Sequence, residues 1–278
     1  MSKKLAFYTY PFPRVTSYFE MIDLSVAYGH EAVEGFSALE FETPDVEAAK
    51  KIRAYADEKG VKFCCFSIYT DISVGDLDEN IARLKGYVDV TAALGCPYIH
   101  HTIIGECLDP ARVLPRKEEL FAVGVRVVQE VFDYAKEQGV RAIYEPQGYI
   151  FNGTEGIGRL IEASGRDIGI VCDFGNVCQV GEDILPFIKA YRDRIVHVHV
   201  KDMALFETDP EGKHLKTAAG TFMDEAKVGE GCVPMAEAFA LLKEMGYDGY
   251  YGVEYGAKSD DSPEMDRCLK YIDRFLED

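Results

Sequence analysis

Residues 195–202 read IVHVHVKD, with His197, His199 and Lys201 at alternate positions and Val196, Val198 and Val200 among them. On a β-strand alternate side chains share a face, so the two imidazoles and the ammonium line one side and the valines the other. Three more apolar runs end in a carboxylate: Glu145 in YEPQG, Asp173 in CDFGN and Glu254 in VEYG. Gathered at one place, buried like charges cannot all stay ionised without a compensating cation. Three carboxylates and one imidazole form a hard, oxygen-rich donor set, suited to one divalent ion such as Mn²⁺, Mg²⁺, Co²⁺ or Zn²⁺.

The elements that position these residues follow from periodicity. Short β-branched or aromatic runs fall at 5–10 (LAFYTY), 32–36 (AVEGF), 62–69 (KFCCFSIY), 98–103 (YIHHTI), 142–146 (AIYEP), 169–175, 195–202 and 250–256. Amphipathic helical patterns lie between them, around 16–28, 44–59, 77–94, 116–138, 154–164, 182–192 and 234–245, with a last one near 262–276. Gly29, Gly60, Gly95, Gly139 and Gly246 stand where helices stop before the next strand, as C′ glycines do. Repeated strand, helix and glycine stop imply right-handed βα units, and eight of them predict an α/β (β/α)8 TIM barrel. A doubly wound open sheet is the alternative. The pattern shows no linker, so residues 1–278 are expected to form one domain. In such a barrel, strand C-termini carry the chemistry, which is where Glu145, Asp173, His199 and Glu254 fall. The irregular stretch 203–228, which contains His214, is expected to be an active-site loop.

Composition narrows the function. The chain has 278 residues, 47% of them hydrophobic, and a net charge of −18, which disfavours a nucleic-acid partner. No apolar run approaches the roughly 20 residues of a membrane span, and the start lacks a signal-peptide pattern, so the expected location is cytoplasmic. Eight cysteines without a CxxC pair read as reduced, mostly buried thiols.

YEP, DFGN, HVHVKD, the downstream VGEG (228–231) and VEYG, in that order and spacing, resemble the xylose isomerase-like barrel superfamily of sugar isomerases and epimerases. Inosose dehydratases, hydroxypyruvate isomerase and the zinc AP endonucleases belong to the same group. The resemblance implies a metal-dependent enzyme with one divalent ion on Glu145, Asp173, His199 and Glu254. His199 is the implied ligand because family members use the second histidine of the H-x-H pair, leaving His197 one layer deeper as support or core. Glu145 and Glu254 match the pair that moves a proton between opposite faces of an enediolate. The substrate implied is a small sugar or polyol ketone. A dehydratase or lyase acting on an inosose-like ketone begins with the same proton removal, and a sugar-binding barrel without catalysis is the remaining alternative. A homo-oligomer is compatible with all three.

Other residues are expected to shape the pocket. Lys201 reaches the rim, to meet substrate, Asp202 or a strand-end carboxylate. His100 and His101 cannot both face inward, and one is expected on a sugar hydroxyl. VGEG, with Glu230, is read as a glycine nest over an anion or as an ordinary turn. Tyr8, Tyr10, Phe36, Phe66 and Tyr69 are wall or core aromatics. Three positions depart from the ketose 3-epimerases of the superfamily: Asn176 stands for their His, Phe151 for their Glu and Leu205 for their Arg. Asn176 is kept as a substrate contact, and its replacement of His also counts against a three-metal AP endonuclease site.

Overall fold

The computed structural model describes residues 4–8, 15–104, 110–209, 212–254 and 262–276. Seven strands are laid down in order: β1 (Leu5–Tyr8), β2 (Ala32–Phe36), β3 (Lys62–Ile68), β4 (Tyr98–His101), β5 (Arg141–Tyr144), β6 (Gly169–Asp173) and β7 (Ile195–Val200). A lateral sheet of β8 (Asp202–Phe206), β9 (Leu215–Lys216) and β10 (Phe222–Ala226) follows, before β11 (Tyr251–Val253) returns to the ring. The parallel barrel closes in the order β1-β11-β7-β6-β5-β4-β3-β2, so the expected (β/α)8 architecture is present. Residues 9, 10, 255 and 256 of the expected first and last strands, and with them Tyr10, lie outside the described residues, as does Cys107. The other cysteines are free thiols. Among the described residues no helix is long and apolar enough to cross a membrane.

Helices Tyr18–Ala27, Val46–Lys59, Leu77–Ala93, Lys117–Glu137, Gly153–Ser164, Ile184–Tyr191, Met235–Glu244 and Ser262–Leu276 fall close to the expected ranges. Ser17, Asp45, Asp76 and Asp183 cap four of them by accepting backbone N–H groups of the first turn. The five stop glycines take φ between 67° and 74°, the left-handed conformation that ends a helix without a Cβ clash. The larger part of the core lies between barrel and helices, around residues such as Tyr18, Leu84, Val127, Phe174 and Phe187. A smaller cluster of Ala6, Ala32, Cys64, Cys65, Ile143 and Val171 fills the barrel interior. Small side chains predominate there, leaving the layer above it for polar groups.

The segment 203–228 differs from expectation. It is an antiparallel sheet, with Met203 paired to Glu225 and Met223 to both Leu205 and Leu215. Most of its side chains are partly or fully exposed, and Met203, Met223 and Val228 are its buried hydrophobic residues among those described, so an alternating pattern hardly registers in the sequence.

The VGEG turn is indeed a nest, and the anion it holds is the chain's own Asp202. The Asp202 carboxylate accepts N–H groups of Gly229, Gly231, Met203 and Val233 at 2.9–3.1 Å. Gly231 must lack a side chain, because a Cβ would lie 2.2 Å from Asp202 Oδ1. Asp202→Ala would strip these N–H groups of their acceptor in a buried site. The expected loss is about 3–5 kcal/mol, several charge-assisted bonds acting together, read from denaturant unfolding. An effect below about 1 kcal/mol would mean that water replaces the carboxylate.

Candidate metal centre

Four neighbouring strands of the ring bring the four expected donors to one floor. Glu145 follows β5, Asp173 ends β6, His199 is the last but one residue of β7 and Glu254 follows β11. Register fixes their heights: His199 pairs with Asp173 across β6–β7 and with Gly252 across β7–β11. From His199 Nδ1 the distances are 3.2 Å to Glu254 Oε1, 3.3 Å to Glu145 Oε2 and 3.9 Å to Asp173 Oδ2. Glu145, Asp173 and His199 each offer a donor atom within 4.8 Å of the others. His199 Nδ1, Glu145 Oε2 and Asp173 Oδ2 are all buried and have no hydrogen-bond partner. Orphaned buried polar atoms carry a large desolvation cost, and a set that converges on one point fits a divalent cation. The donors are those that Mg²⁺, Mn²⁺ or Zn²⁺ accept.

The electrostatics agree. Burial pushes the Asp173 carboxyl up to about 7, aided by Glu254 and Glu145 and opposed by Lys201. Burial also works against a charge on His199, yet the carboxylates of Glu34, Glu145 and Glu254 hold its pKa well above the ordinary imidazole value. The buried carboxylates thus favour positive charge at this point, which a divalent cation would supply. Burial would raise Glu254 too, but Lys201 and His199 hold it down at about 2.

A cavity of about 480 Å³, counted out to open solvent, stands over this floor. Its wall includes Tyr8, Phe36, Tyr69, Ser67, His100 and Gln147. The Tyr8 ring stacks on His199, centroids 5.4 Å apart. Phe66, by contrast, packs outside the barrel on Phe41 and Tyr87. His100 faces the cavity, its Nε2 3.5 Å from Glu145 Oε1, and burial lowers its pKa, which favours the neutral ring. His101 turns away, with Nδ1 at 2.9 Å from the Thr102 carbonyl and Nε2 at 3.1 Å from the Tyr144 hydroxyl. The expectation that one of the pair points inward holds, and the substrate contact expected of His101 finds no place. Lys201 bonds Glu254 Oε2 at 2.6 Å and lies 3.6 Å from Glu225, so its partners are these carboxylates and Asp202 is occupied by the nest.

Three expected contacts are placed elsewhere. The Asn176 carbonyl accepts from the Asn152 side chain, and its N–H donates to Asp173 Oδ1; its side chain is absent from the cavity lining. Glu230 is exposed, 3.6 Å from Arg267, because the nest turns it outward. His214 bonds Asp209 at 2.7 Å and packs on Phe206, again outside the lining. His197 lies one layer below His199, as expected of a support, and is absent from the cavity lining, so it does not serve as a substrate contact there. Its partner, Glu34 at 2.7 Å, escaped the reading of the sequence. The available signal was a lone acid in the apolar strand AVEGF, two residues from Ala32 and Phe36, which both face the barrel interior.

A family model described as xylose isomerase-like TIM barrel matches residues 22–274. An inosose dehydratase of Lacticaseibacillus casei is 31% identical over 153 residues, 52% of this chain and 51% of that one, so the match spans about half the relative's length. An inosose isomerase of Halalkalibacterium halodurans is 29% identical over 182 residues, 63% of this chain and 59% of that one. Among solved structures, a xylose isomerase-like TIM barrel protein from Mycobacterium smegmatis in complex with magnesium superposes with a TM-score of 0.73 at 16% identity. That superposition covers 99% of this chain and 97% of that one.

Proposed function

The chain belongs to the xylose isomerase-like TIM barrel family, and from that membership and the cavity floor we propose that it is a metal-dependent isomerase or epimerase of a neutral sugar or polyol ketone. The observation that carries this reading is the convergence of His199 Nδ1, Glu145 Oε2 and Asp173 Oδ2, buried without partners, on the floor of the cavity that Glu254 also lines. Glu145, Asp173, His199 and Glu254 would hold the ion. When bound, it supplies a Lewis acid that draws electron density from a carbonyl.

The residues of the chain do the rest. Glu145 takes the proton from the carbon beside the carbonyl, and the C–H electrons form the carbon–carbon double bond of an enediolate. Glu254, separated from Glu145 by β6 and β7, relays a proton from the Lys201 ammonium 2.6 Å away to the other face or the other carbon, and exchange with solvent then returns Glu145 and Lys201 to their starting protonation. Tyr8, Phe36 and Tyr69 give the pocket apolar walls, against which a ring face can lie. Lys201 is the cation among the described lining residues, and it is already paired with Glu254. Among the described lining residues a phosphate would find no unpaired positive side chain, which supports an unphosphorylated substrate.

Dehydration is the second reading, and the position of Lys201 favours it. An ammonium 2.6 Å from Glu254 at the cavity wall can protonate a hydroxyl leaving the carbon next to the enediolate. The C–H proton goes to Glu145, the C–O bond breaks, and water and an unsaturated ketone result. The inosose dehydratase and inosose isomerase relatives fit both readings.

Incubation of Mn²⁺- or Mg²⁺-loaded protein with a panel of neutral ketoses and inososes in D₂O tests the proposal. The expected result is deuterium at the carbon beside the carbonyl, with a new epimer or isomer in the NMR spectrum. An unsaturated ketone in place of an isomer would select dehydration. Metal binding with neither exchange nor turnover on any member of the panel would favour the non-catalytic barrel.

A further inference from the structure

Glu34 is a fully buried carboxylate on β2, and the chemistry above makes no use of it. Its Oε2 lies 2.7 Å from His197 Nε2 and its Oε1 2.9 Å from His199 Nε2. The Ser67 hydroxyl donates to Oε1 at 2.7 Å. Gly252 on β11 provides the room, since a Cβ there would come within 2.4 Å of Oε2. Glu34, His197 and His199 are close enough together to suggest an ion among them. Separations of 2.7 and 2.9 Å are direct N–H···O lengths, however, and they close that space.

Proton positions follow from donor and acceptor counting. An ionised carboxylate only accepts, so the Nε2 atoms of His197 and His199 both carry hydrogen. Nδ1 of His199 is then the nitrogen with a lone pair to give, and it points at the three other donors. Ser67 directs its hydrogen to Glu34, and its oxygen sits 3.1 Å from His100 Nδ1. His100 therefore donates from Nδ1. Its Nε2, buried and without a hydrogen-bond partner, is left as an acceptor at the cavity wall.

The geometry assigns Glu34 the role of a positioning residue that fixes the tautomers of His197, His199 and, through Ser67, His100. It thereby presents His199 Nδ1 to the metal and His100 Nε2 to a hydroxyl of the substrate. The His199 half rests on the metal reading proposed above; the His100 half does not. A hydroxyl that donates to His100 Nε2 lies beside Glu145 Oε1, so Glu34 also orients the substrate next to the acid–base group.

The 278-residue protein loaded with Zn²⁺ and labelled with ¹⁵N-histidine tests this directly. In the wild type, the expected spectrum shows His199 bound through Nδ1 with hydrogen on Nε2, and His100 with hydrogen on Nδ1. Coordination of His199 through Nε2, or hydrogen on His100 Nε2 alone, would overturn the assignment even if every variant failed to fold. In chelator competition, Glu34→Ala should bind Zn²⁺ about 10–100-fold more weakly, the usual cost of losing a partner behind a metal ligand. Ser67→Ala should leave Zn²⁺ affinity essentially unchanged while mixing the His100 tautomers. Unchanged affinity in Glu34→Ala, with the wild type binding normally, removes the positioning role and leaves the metal reading intact. A wild type that binds no Zn²⁺ overturns the metal reading itself, and the His199 role with it, whereas the His100 spectrum still judges the other half.

Discussion

Glu145→Gln is expected to lower turnover by at least about 10²-fold at full metal occupancy, because general acid–base help is typically worth 10² to 10⁴. Glutamine keeps the shape and one oxygen of the ligand but has no basic site at the pH of the reaction. Deuterium uptake from D₂O should fall in parallel, since both need the same proton abstraction. Glu254→Gln should impair turnover by a similar factor, with an extra cost. It strips a half-buried lysine of a partner at 2.6 Å and leaves it Glu225 at 3.6 Å, so stability has to be followed by thermal unfolding. Metal content must be measured alongside, because either change can weaken binding. Near-normal turnover by Glu145→Gln would refute the assigned base. Turnover in the wild type without any deuterium would indicate hydride transfer between carbons, and the two glutamates would then be ligands only.

Histidine replacement should separate two neighbours that look alike in sequence. Protein prepared without chelator is expected to carry about one equivalent of divalent metal by elemental analysis, one being what a four-donor site holds. His199→Ala should bind none, because the donor at the centre of the cluster is gone. His197→Ala should retain the metal about 10–100-fold more weakly. The reason is geometric: His197 touches Glu34, which touches His199, so its loss loosens a support and removes no donor. Chelator competition with Zn²⁺ or Mn²⁺ reads the difference. Complete and equal loss in both variants would show that His197 ligates as well, or that the wrong histidine was chosen.

Much of this arrangement is legible in the sequence because the ring repeats one physical rule. Apolar strands, amphipathic helices and left-handed stop glycines recur in register, and each ligand closes a strand whose apolar residues announce it. HVHVKD even gives the facing, since period 2 puts His197, His199 and Lys201 on one side. What resists such reading is pairing over distance. Glu34 looks like a lone acid in a short strand, and nothing local ties it to histidines 163 and 165 residues away. The lateral sheet was equally opaque, because its side chains are too exposed to impose a period. Glu230 and His214 went astray for a related reason. Chain proximity to a functional strand does not tell which way a turn faces, and here Asp202 decides it for Glu230.

The closure of the ring also sets an order in time. Strands β2 to β7 can zip to neighbours close in sequence, but β11 must reach β1 from the far side of the chain, pairing Leu5 with Tyr251 and Ala6 with Gly252. Contacts of that separation carry the largest loop-closure entropy and form late. A ribosome-bound chain that has emerged only as far as β7 already has three of the four donors and all three partners of Glu34. It still lacks Glu254, the counter-ion of Lys201 and the groove that Gly252 opens for the Glu34 carboxylate. Synthesis would thus run ahead of a complete site until the last strand docks.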